Sequence, residues 1–135
     1  MLTYSAARDM LVEQLRADAR AHAAGHHDEI GRRFDHLEHH FPTGTEPELG
    51  RLHIALAFWD GWIYARNYGW PRGPIAPDEW PALAEEVAVD LEHDREISSP
   101  IVLTHFDLVA HPKLNERVQT LALRLRRREG PIEAS

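Results

Sequence analysis

The chain has 135 residues, 43% apolar and 27% charged, with a net charge of −7; this is the composition of one globular domain, long enough to bury a core. It has no cysteine, which excludes disulfides, thiolate metal sites and cysteine nucleophiles. Residues 1–110 carry nine basic and nineteen acidic groups, a net of −10, and so acidic a body repels a phosphate backbone and argues against nucleic-acid binding.

The opening "MLTYSAARDMLVEQLRADAR" acquires acids by Asp9 and lacks a basic flank before an apolar run, so it does not read as a signal peptide. It predicts a helix over about 5–24. Ala7, Leu11, Leu15 and Asp18 fall on one side with Met10 beside them, and Gly25 stands where a left-handed C-terminal residue belongs. A second helix is expected over about 28–41, because Ile30, Phe34, Leu37 and Phe41 recur at the helical period before Pro42.

"TEPE" then gives Thr45 as N-cap with Glu48 three residues on, a capping box, and Pro47 is tolerated in a first turn. The helix it opens should run over about 46–68, stopped by Gly69 and Pro71. Its most apolar stretch, 54–59, is far short of the roughly 20 residues that span a bilayer.

"GWPRGPIAP" reads as a loop. A helix from 77 or 78 to about 93 follows, with Leu83, Val87, Ala88 and Leu91 inward and Glu85, Glu86, Asp90 and Glu92 outward. Ser99 as cap and Pro100 at the first position open the next helix. Its β-branched "IVLT" would also suit a strand, but no partner strand is in view. After "AHPKLN", Leu114, Val118, Leu121 and Leu125 give a last amphipathic helix, and "REGPIEAS" a tail that frays. The sum is an all-α fold, a compact bundle of five to six helices around a central hydrophobic helix (about 46–68). One helical domain would cover 1–128, followed by the tail at 129–135.

No nucleotide loop, nucleophile elbow or zinc signature is present. The central helix instead carries polar residues spaced by seven: Glu46, His53, Asp60 and Asn67 lie within about 60° of one another at 100° per residue. Tyr64 joins them. Buried polar groups cost several kcal/mol unless paired, so the stripe needs partners. His53, Asp60, Tyr64 and Asn67 are therefore the candidate ligand-binding residues.

His36 and His40, four apart on one helix face, have a spacing that can clamp a metal ion. Arg33 shares that flank, and the Glu-x-x-His repeats of di-iron bundles are missing. No cofactor is expected beyond weak or adventitious divalent metal. All four tryptophans, two of three tyrosines and Phe58 lie between residues 58 and 80. Such crowding suggests a homodimer contact through Phe58, Trp59, Trp62, Trp70 and Trp80. The expected function is a noncatalytic, homo-oligomeric binding module of the cytoplasm, taking a protein or small-molecule ligand, with no nucleic-acid or membrane partner. The alternative is a metal-dependent helical-bundle enzyme such as a hydrolase. It needs three convergent ligands and an open position, and the histidine spacing supplies two.

Overall fold

The computed structural model describes residues 3–31, 43–70, 73 and 75–106. Over these the chain is helical, and no strand occurs among them. Among the described residues there are four α-helices, α1 (Tyr4–Ala23), α2 (Glu46–Asn67), α3 (Trp80–Glu92) and α4 (Pro100–Phe106), with short 3-10 turns at His27–Glu29 and Pro77–Glu79. The expected helix over 114–125 and the tail lie outside the described residues.

The helix ends follow local chemistry. Thr3 caps α1 by accepting from the Ala6 N–H, and Gly25, at φ 83, carries the chain away from its far end. At α2 the capping box closes in both directions: Thr45 Oγ1 accepts from the Glu48 N–H, and Glu48 Oε1 accepts from the Thr45 N–H. Tyr68 and then Gly69, at φ 73, end that helix. Ser99 Oγ accepts from the Val102 N–H at the start of α4. A single bridge between Thr3 and Thr43 holds the N-terminal ends of α1 and α2 side by side.

The buried face of α1 repeats every three or four residues: Tyr4, Ala7, Leu11, Leu15, Asp18 and His22. It packs most extensively on α3, which buries Trp80, Leu83, Ala84, Val87, Ala88 and Leu91. The central helix α2 is different. Every residue from 55 to 60 is buried, as a helix that is apolar nearly all round must be when it runs through a core. Phe58, Trp62 and Trp80 form one aromatic group there, with Trp62 and Trp80 stacked at 6.1 Å and 5° between planes.

Two sequence-based expectations change. No α-helix starts at residue 28: after the turn at His27–Glu29, Ile30 is extended and Gly31 takes φ 77. Neighbouring helices supply the reason. Asp18 Oδ2 accepts from the Gly31 N–H, Arg66 donates to the carbonyls of His27 and Ile30, and Ile30 itself is buried. A Cβ on Gly31 would stand 2.5 Å from Ile63 Cδ1, so glycine is required for space as well as for backbone angle. Phe34, Leu37 and Phe41, expected on the same stripe as Ile30, lie outside the described residues.

Asp90, expected outward, is buried instead. Its Oδ2 accepts from both the N–H and the hydroxyl of Ser98, and Arg95 lies 3.6 Å from Oδ1. The carboxylate thus fastens the link between α3 and α4 to the end of α3.

Candidate functional site

Helix α2 carries the polar stripe from the interior to the surface. Asp60 is buried and His53 partly so, whereas Tyr64 is 42% exposed and Asn67 lies outside. Burial pushes the His53 imidazole below the ordinary histidine range. Asn67 Oδ1 accepts twice from the neighbouring guanidinium, from Arg66 Nε at 3.0 Å and Nη2 at 2.6 Å. One turn beyond Tyr64, Tyr68 is 68% exposed, and the two rings stand 4.5 Å apart. The stripe therefore has an inner half, His53 and Asp60, and an outer half built around two tyrosines.

The aromatic residues assigned to a subunit contact divide in another way. Phe58, Trp59, Trp62 and Trp80 all lie in the chain's own core, and Trp70 is partly buried against it. The crowding that suggested a second copy is absorbed within one chain, where small residues such as Ala7, Ala55, Ala84 and Ala88 leave volume for large rings. Those four aromatics offer no surface to a partner.

The buried polar groups bonded to the tryptophans of α2 are ones the sequence reading did not single out. Asp18 and His22 stand one turn apart on the buried face of α1, opposite Trp59 and Trp62 of α2. The Trp59 indole donates to Asp18 Oδ2 at 2.7 Å, and the Trp62 indole donates to His22 Nδ1 at 3.1 Å. Asp18 also accepts from the Gly31 N–H at 2.9 Å and from Gln14 Nε2 at 2.8 Å. Burial pushes the Asp18 carboxyl above its ordinary range, while these three donors and the charge of Arg66 pull it back. Burial lowers His22, helped by the adjacent imidazole of His27; the Pro77 carbonyl and Asp78 oppose them. The available signal was an aspartate falling on the same side of a helix as Ala7, Leu11 and Leu15.

Chemically this pair is committed to the fold. All three Asp18 partners are donors, and the His22 nitrogen that could take a proton is already accepting one. Such groups orient helices and are poor general bases, since a base needs its lone pair turned toward substrate.

Among the described residues no group of three histidine, aspartate or glutamate side chains could hold a metal ion. His36 and His40 lie outside the described residues. No described helix is long and apolar enough to cross a membrane. Comparison with protein-family models, curated proteins and solved structures yields no match.

Proposed function

We propose that the chain is a small noncatalytic helical binding module that self-associates through the outer side of α2 at its C-terminal end. The observation that supports this is the tyrosine pair. Tyr64 and Tyr68 are the large hydrophobic side chains exposed among the described residues, and their rings lie together one helical turn apart. Tyrosine combines a wide apolar ring with a hydroxyl that remains satisfied in water or at a contact, which is why it recurs at interfaces. Asn67, exposed and adjacent to Tyr68 in the chain, provides a polar group at the rim. A two-fold axis through such a patch sets the same residues against one another in both copies. A ligand reaching this side of α2 meets Tyr64 and Asn67 first, with Asp60 and His53 deeper on the same stripe.

The test is light scattering of the untagged chain over a concentration series through the micromolar range. The mass of a dimer is expected, with an interface of at least about 1,000 Å² in total. A mass of one chain throughout the series would overturn the proposal.

A further inference from the structure

At the far end of α1 a second cluster gathers around His22, apart from the tyrosine surface. The rings of His22 and His27 stand 4.6 Å apart and nearly edge-on. Trp70 closes on both, at 5.1 Å from His22 and 5.4 Å from His27. It does so from left-handed backbone, φ 59, a conformation that bulky residues rarely adopt, so packing must hold it there. Arg66 reaches across from α2 to the His27 carbonyl. This one cluster ties together the end of α1, the His27–Glu29 turn and the end of α2.

We infer that the cluster is a proton-operated latch: charging His22 frees the His27–Glu29 turn and Trp70 from the end of the helix bundle. The reason lies in the hydrogen bond from Trp62. His22 Nδ1 accepts the indole N–H, so the neutral ring carries its proton on Nε2. A second proton has to go to Nδ1, where it points at the indole N–H. Two donors then face each other in a buried place, and the bond is lost.

The surrounding charges settle the direction. His27 faces His22 from the turn and disfavours a charge there, while Arg66 of α2 holds the His27 carbonyl. Asp78, near the start of α3, favours the charged ring, but Asp18 on α1 already has three N–H partners. An imidazolium at this point is therefore relieved most directly by moving away from His27 and Trp62, which moves the turn. Burial lowers His22, so the latch opens as pH falls below the ordinary histidine value of about 6.5.

The experiment follows amide exchange of residues 26–31 from about pH 7.5 to about pH 5, corrected for the intrinsic effect of pH, alongside an NMR titration of the histidine ring nitrogens. In the wild-type chain, exchange in 26–31 should accelerate by up to about tenfold per pH unit from the ordinary histidine value of about 6.5 down to the lower value His22 has when closed, and level off below it, because the open form binds the proton more tightly. His22→Gln keeps an oxygen for the Trp62 indole but cannot be protonated, so its corrected exchange should stay flat. The wild-type titration provides a second check if that variant folds poorly. If His22 takes up its proton and residues 26–31 stay protected, or if His22→Gln opens over the same pH range, the latch is refuted.

Discussion

The Trp59 indole nitrogen lies 2.7 Å from an oxygen of the Asp18 carboxylate, inside the seam between α1 and α2. The contact joins residues 41 apart in sequence and gives a buried charge one of its three donors. A carboxylate in that position stabilises the fold only while its oxygens are occupied; with a partner removed, the cost of its burial remains.

Asp18→Ala should therefore destabilise the chain by about 2–4 kcal/mol, since it leaves the Trp59 indole and the Gly31 N–H without their acceptor. Trp59→Phe keeps most of the ring volume and deletes one donor, at about 1–3 kcal/mol. Because both changes break the same bond, their combined effect should fall short of the sum. Urea denaturation of the two single variants and the double variant measures this directly. Additive losses would mean that the bond contributes little.

Gly25 and Gly31 both have positive φ, 83 and 77, but differ in their surroundings. A Cβ at Gly25 meets nothing within 4 Å, whereas one at Gly31 runs into Ile63. Gly25→Ala should cost about 1 kcal/mol, the backbone term alone. Gly31→Ala should cost more, about 2–4 kcal/mol, from backbone strain plus overpacking. Adding Ile63→Ala to Gly31→Ala should cost less than Ile63→Ala does in the wild-type chain. Melting temperatures of the four variants decide the matter, and equal losses at the two glycines would contradict the close packing at Gly31.

Stability should fall on mild acidification. Burial lowers the pKa of His22 and His53 in the folded chain, so the unfolded chain binds their protons more readily. Their contribution is complete above the ordinary histidine value of about 6.5 and is lost as pH falls through the lower folded-state values. Asp18 works with the opposite sign. Its folded-state pKa is raised, so its ionised form costs stability, and part of that cost is recovered as pH drops through the raised value. Urea midpoints measured from about pH 7.5 down to about pH 5 should first decline, and His22→Gln and His53→Gln should each flatten the decline. A midpoint that rose over the first pH unit below 6.5 would contradict the assignment of both histidines as neutral rings whose pKa burial lowers.

Signals confined to a few adjacent residues were legible in the sequence. Thr45 with Glu48, Gly25 after α1, and Ser99 with Pro100 placed helix ends because each cap is made by atoms within a few residues of the end it serves. The turn at His27–Glu29 was not legible. Its sequence has a helical apolar period, but its His27 carbonyl is claimed by Arg66 and the Gly31 N–H just after it by Asp18, from helices on either side in the chain. Asp90 escaped for a similar reason: its place on α3 looked outward until Ser98 folded back onto it. The tryptophans show the limit of inference from crowding. Their crowding between residues 58 and 80 is plain in the sequence, but whether one core can hold them depends on what the folded chain packs around them. The polar stripe was visible as a spacing, while its passage from buried Asp60 to exposed Tyr64 follows from packing.

The proposal that α2 makes its contact with outward tyrosines, and not with the tryptophans of the core, is tested most directly by replacing the pair. Tyr64→Ser combined with Tyr68→Ser removes two exposed rings and leaves Phe58, Trp59, Trp62 and Trp80 in place. Light scattering at micromolar concentration should give a dimer for the parent and a single chain for the double variant, with little change in melting temperature, since exposed positions contribute little to folding. A double variant that remains dimeric would contradict the account and place the contact elsewhere on the molecule.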